Sequence, residues 1–136
     1  AVAVATAGGR AIDVVIANAG ISSPAAPFTD YPLDGFERVL KVHVVGAFHT
    51  IQAALPHVPD GGSIIITSSV AGLVGTPQVA AYGTAKHAQI GLIHGRDRMT
   101  GHGRMPVDAV YLAHEAGKQL SEHLKALQAR RTDDGG

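Results

Sequence analysis

Tyr82 and Lys86 stand four residues apart in Tyr82-Gly83-Thr84-Ala85-Lys86, a spacing that puts both side chains on one face of a helix and within reach of one site. Ser69 lies 13 positions before Tyr82, at the end of an apolar run. A phenol is a poor proton carrier at its ordinary pKa of about 10, but a neighbouring ammonium favours the phenolate and draws that value down. A serine hydroxyl beside them could hold a substrate oxygen while the tyrosine gives or takes its proton. Together the three describe a site for a carbonyl or an alcohol. Taken singly they are ordinary, since a helical Tyr with Lys at i+4 is commonly a surface pair and a serine after a strand commonly begins a turn.

The elements that must position them follow from periodicity. Residues 1–7 are alanine-rich and end at Gly8-Gly9, the pattern of a helix closed by a glycine C-cap. Residues 13–17 form a continuous apolar run, which predicts a parallel strand covered on both faces. Asn18-Ala19-Gly20 breaks it. Ser22, Ser23, Pro24, Pro27 and Pro32 make residues 21–32 a surface loop at the carboxyl end of that strand. From 33 to 55 the pattern is helical, with Phe36, Leu40, His43, Ala47, Ile51 and Ala54 on one core-facing stripe. Pro56, Pro59 and Asp60-Gly61-Gly62 end it, and residues 63–67 predict a second buried strand with Ser68 and Ser69 at its carboxyl end. A loop over 70–78 and a helix over 79–93 complete a second strand-loop-helix unit, so parallel strands with right-handed crossovers are expected. Residues 107–112 read as a third strand. Ala113, Ala116, Leu120, Leu124 and Leu127 form a helical stripe within residues 113–131, with Lys118, Lys125, Arg130 and Arg131 as its polar face and C-terminal charge. The polar residues 132–136 read as a disordered tail.

Length and composition narrow the function. A chain of 136 residues fits one globular domain, here placed over residues 1–131. Eleven basic and eleven acidic side chains cancel to no net charge, against a nucleic-acid or anionic-membrane footprint. Cysteine is absent, which excludes disulfides and thiolate metal sites. No apolar run approaches the ~20 residues of a membrane span, and the apolar start lacks the basic flank of a signal peptide, so a cytoplasmic protein is expected. Partners are then a small molecule or another protein. His49, His57, His87, His94, His102, His114 and His123 form no His-x-x-x-His pair and read as solvated side chains, so no metal is expected.

In sum the sequence resembles the short-chain dehydrogenase/reductase family over roughly residues 1–93. Residues 13–20 resemble its strand followed by Asn-Ala-Gly. Residues 62–72 resemble its strand with the catalytic serine, and Tyr82-x-x-x-Lys86 matches its signature. The resemblance implies a partial Rossmann-type, doubly wound parallel sheet with flanking helices, and NAD or NADP as cofactor. It implies Tyr82 as acid/base, Lys86 on the nicotinamide ribose and lowering the tyrosine pKa, and Ser69 orienting the substrate. Asn18, Ala19 and Gly20 would lie along the cofactor. It also implies a homo-oligomer, because the helices corresponding to 33–55 and 79–93 commonly build the family's dimer interface.

Three departures accompany the resemblance. His43 stands where the family usually has the Asn of a water relay to the lysine; it reads either as a core histidine or as a relay, since imidazole can pass a proton between its nitrogens. The family's first βαβ units, with the glycine-rich turn that cradles the pyrophosphate, would lie upstream of Ala1, so a truncated member is expected. Gly8-Gly9, Gly72, Gly75 and Gly101-His102-Gly103 do not replace that turn. Tyr111-Leu112-Ala113 replaces the Pro-Gly expected after the third strand. Two readings therefore stand: a dehydrogenase, or a non-catalytic remnant or interaction module that cannot hold the cofactor.

Overall fold

The computed structural model describes residues 5–94 and 107–111. Three strands, β1 (Val14–Ala17), β2 (Ser63–Thr67) and β3 (Val107–Tyr111), form a parallel sheet in that spatial order. Val14 pairs with Ser63 and Ala17 with Ile66. Between β2 and β3 the register slips once, at Ile64/Ile65, so Ile64 meets Val107 but Ile65 meets Ala109. Parallel neighbours need a crossover between them, and the long helix supplies it between β1 and β2.

That helix differs from the unbroken one expected over 33–55. It comprises α1 (Leu33–Leu40), a π turn (Lys41–Val45), α2 (Gly46–Ala54) and a closing 3-10 turn (Leu55–His57). The buried residues explain the π turn. Val39, His43, Ala47 and Ile51 are spaced four apart, and each four-residue step overshoots a full α-turn by about 40°. A turn with an extra residue resets the stripe toward the core.

Ile64, Ile65 and Ile66 at the centre of β2 are wholly buried, each contributing about 1.5–3 kcal/mol relative to exposure. One face of the sheet carries Val15, Ala17, Ile64 and Ile66, packed against Ala47, Ile51 and Ala54 of α2 and against Ile93. A second cluster, Val39, Ala81 and Ala85, joins α1 to α3 (Ala80–His94). β1 is not covered on both faces as its apolar run predicts: Ile16 is 44% exposed while Val15 and Ala17 are buried. Alternate strand residues point to opposite faces, and the α2 cluster covers only the Val15 side.

Gly8 and Gly9 both take positive φ, 75° and 78°, as the expected glycine cap requires. The loop over 21–32 includes a 3-10 turn, Phe28–Asp30, and Tyr31 braces it by donating to the Pro24 carbonyl at 2.9 Å and bonding Ser23 Oγ at 2.6 Å. The loop over 70–78 likewise begins with a 3-10 turn, Val70–Gly72. The two loops meet where Ala26 N–H donates to the Gln78 carbonyl at 2.9 Å, and Gln78 holds a left-handed φ of 64° there. The third strand is described over Val107–Tyr111, within the expected 107–112, and Leu112 lies outside the described residues. The helix expected over 113–131 and the tail over 132–136 lie outside the described residues.

Candidate active site

In parallel sheets of this kind, ligands gather at the carboxyl ends of the strands. Here β1 delivers Asn18 and Gly20 to that edge and β2 delivers Thr67 and Ser68. The first turns of α3 bring Tyr82 and Lys86, and the π turn brings His43. All of these line one cavity of about 670 Å³.

Tyr82 sits between two groups. The His43 ring meets it edge-on, centroids 5.6 Å apart and planes at 89°. Lys86 Nζ lies 5.4 Å from its ring centroid, within the range where an ammonium is drawn to an aromatic face. Lys86 is only 5% exposed. Its ammonium donates to the Thr67 carbonyl at 2.8 Å and to Gln89 Oε1 at 3.0 Å. Burial strips water from the charge and lowers the Lys86 pKa from 10.5 to about 8.

His43 is 2% exposed. Its Nε2 lies 3.0 Å from the Ile21 amide nitrogen and 2.9 Å from the Ile21 carbonyl, so according to its tautomer it accepts from the first or donates to the second. Nδ1 is buried with no partner among the described residues. The backbone at Gly20 makes room for this ring. A Cβ built there would stand 2.5 Å from His43 Cε1, so only glycine lets the turn after β1 run so close to the histidine.

Ser68 fastens strand to helix, its hydroxyl donating to the Lys86 carbonyl at 3.0 Å. Ser69 caps the 3-10 turn that follows, its Oγ accepting the Ala71 N–H at 3.3 Å. It is 9% exposed and is not among the residues that line the cavity. Of the side chains singled out from sequence, the structure thus gathers Asn18, Gly20, His43, Tyr82 and Lys86. Ala19 lies in the same turn, and Ser69 sits one residue beyond the lining. Sequence reasoning gave no role to Thr67, Ser68 or Gln89. For Gln89 a signal existed: a polar residue at i+3 from Lys86 shares its helix face. His49, His57 and His87 are exposed as expected; His102, His114 and His123 lie outside the described residues.

The chain is similar in sequence and fold to known proteins. The sequence profile of short chain dehydrogenases matches residues 1–123. A (-)-trans-carveol dehydrogenase of Rhodococcus erythropolis is 40% identical over 85 residues, covering 60% of this chain and 31% of that protein. Among solved structures, an NAD+-bound xylitol dehydrogenase superposes with a TM-score of 0.63 at 42% identity, over 68% of this chain and 36% of its own. An alcohol dehydrogenase from Thermococcus sibiricus, complexed with 5-hydroxy-NADP, gives 0.62 at 26% identity, over 68% and 39%. The chain therefore spans about a third of the length of the relatives it matches.

Two outcomes are expected. Gly20→Ala forces a methyl onto the His43 ring and costs about 1–3 kcal/mol; because His43→Ala vacates that space, a double-mutant cycle by urea denaturation shows strong coupling, and additivity refutes the contact. The second concerns pH. Lys86 binds its proton more weakly folded than unfolded, so unfolding free energy rises as pH goes from about 8 to 10.5 and this group adds no slope below 8. The rise is at most about 3 kcal/mol, and Lys86→Met removes it; an unchanged slope in that variant overturns the assignment.

Proposed function

With the premise that this chain belongs to the short-chain dehydrogenase family, we propose that its cavity receives the nicotinamide end of NAD or NADP and serves hydride transfer between that cofactor and a carbonyl or secondary alcohol. The observation that carries this reading is the Lys86 ammonium 5.4 Å from the Tyr82 ring centroid, in a cavity shared with Asn18 and Gly20 at the strand ends. The ligands of two solved relatives, NAD+ and 5-hydroxy-NADP, support the cofactor class.

The residues present fit one half of the cofactor. An ammonium with two of its three protons engaged keeps one for a ribose hydroxyl, and Asn18 and Gly20 line the same cavity. The glycine-rich strand-turn-helix that would hold the phosphates is not among the 136 residues. When bound, the nicotinamide would supply or accept the hydride.

The chain's own residues would handle the proton. Tyr82 would give its hydroxyl proton to a substrate carbonyl oxygen on reduction and take it back on oxidation. Lys86 would stabilise the negative charge left on the phenol oxygen. Ser69 would donate to the substrate oxygen, since the Ala71 N–H uses its lone pair and not its proton. For His43 the bonds favour positioning over relay: one ring nitrogen is tied to Ile21 and the other has no described partner to pass a proton to.

The proposal extends to self-association of a cytoplasmic, single-domain protein. Val45 and Phe48, half-exposed along the long helix, present an apolar strip of the kind that pairs with a second copy.

NADH or NADPH titrated into the chain is expected to change nicotinamide fluorescence and raise the melting temperature; neither response with either nucleotide defeats the enzyme reading for this chain and leaves the non-catalytic module. Tyr82→Phe abolishes any reductase activity while leaving nucleotide binding within about twofold, as it deletes the proton donor and keeps the ring. Sedimentation velocity is expected to show a dimer or larger species, which Phe48→Glu dissociates; a well-folded monomer refutes self-association.

A further inference from the structure

Gln89 is buried to 1% exposure in α3, among the largest fully buried side chains of the described residues. Burying a carboxamide is unfavourable unless both of its ends are bonded. Here both are. Its Oε1 accepts from Lys86 Nζ at 3.0 Å, and its Nε2 donates to the His43 carbonyl at 2.9 Å. We propose that Gln89 is a positioning residue that aims the Lys86 ammonium into the cavity by tying it to the carbonyl of His43 in the π turn.

Three features carry this, and it rests on the role given to Lys86 above. An ammonium can only donate and a carbonyl can only accept, so the group between them must offer an acceptor at one end and a donor at the other. A carboxamide does so in a single orientation. A carboxylate lacks the donor, and an apolar side chain lacks both.

The π turn supplies the carbonyl. Its Gly46 N–H reaches back five residues to the Lys41 carbonyl, and the His43 carbonyl lies within this turn. Gln89 Nε2 donates to that carbonyl. The α3 helix is thereby linked to the long helix at the level of the site, with Lys86 held between Gln89 and the carboxyl end of β2.

Both fixed acceptors of the ammonium are neutral, the Thr67 carbonyl and Gln89 Oε1. Lys86 is thus steered without being neutralised. Among the described residues, the titratable groups that share its cavity are Tyr82 on its own helix and His43 on the π turn, and from β2 the Thr67 carbonyl accepts from it. No carboxylate lines the cavity among the described residues. The charge therefore stays available to Tyr82, and one ammonium proton stays free for a ligand.

The test reads Lys86 itself. In the isotopically labelled full chain, the titration midpoint of the Lys86 side-chain resonances, assigned by their loss in Lys86→Met, is compared with that in Gln89→Met and Gln89→Glu. Gln89→Met keeps the length and fills the space but removes the acceptor, and it is expected to lower the midpoint by about one unit. A helix merely loosened by the change would rehydrate the lysine and move its midpoint up, toward the ordinary ~10.4; that result, or no movement, overturns the proposal. If Gln89→Met does not fold, Gln89→Glu decides. Its carboxylate is expected to carry the midpoint above the ordinary lysine value, and a midpoint at or below that value overturns the proposal. Nucleotide titration of the unchanged chain is read separately: failure to bind NADH or NADPH defeats the oxidoreductase reading, and the Lys86 midpoints still decide the role of Gln89.

Discussion

The site is organised around keeping one ammonium charged where water is scarce. A lysine this deep loses hydration, and desolvation alone favours the neutral amine, which is why its pKa falls to about 8. Two neutral acceptors oppose that loss, one from a strand end and one from the same helix. At neutral pH the balance leaves the cation intact. A carboxylate partner would have held the proton more firmly but cancelled the field at Tyr82. The chosen acceptors hold the geometry and leave the field.

That arrangement explains why the strands must end where they do. The Thr67 carbonyl is the last backbone acceptor of β2, and Ser68 just beyond it bonds the carbonyl of Lys86. One residue of strand thus fixes the ammonium and the next fixes the helix that carries it. Gly72 completes the junction: a Cβ there would meet Ser68 Oγ at 2.7 Å and the Lys86 carbonyl at 2.8 Å, so the turn after β2 lies against α3 without a side chain between them. On the β1 side, the close approach of Gly20 to His43 does the equivalent work. Backbone closeness at two glycines brings the loops, the π turn and α3 to one cavity.

Much of this was legible in the residues. The unbroken Ile64-Ile65-Ile66 run marked a buried strand because an apolar triplet has no polar face to turn outward, and the i, i+4 spacing of Tyr82 and Lys86 placed them on one helix face. The π turn was not legible: the four-residue steps from Val39 to Ile51 look like an ordinary amphipathic stripe until they are followed over three turns. The exposure of Ile16 was hidden as well, since apolar runs do not say whether a neighbour covers the second face. Gln89 escaped notice because a glutamine on a helix is usually solvated, and only the His43 carbonyl opposite makes it a link. Ser69 was found by its spacing from Tyr82, whereas its capping bond to Ala71 depends on a backbone conformation that spacing does not reveal.

Gln78 ties the two loops that leave the strand ends. Its carbonyl takes the Ala26 N–H, and it does so from a left-handed backbone that a non-glycine residue adopts at a cost of roughly 1–3 kcal/mol. The flanking prolines, Pro24 and Pro27 on one side and Pro77 on the other, stiffen both partners. An outward displacement of either loop must break that bond or carry the other loop with it, so the two strand-end loops form one coupled border and not two separate flaps.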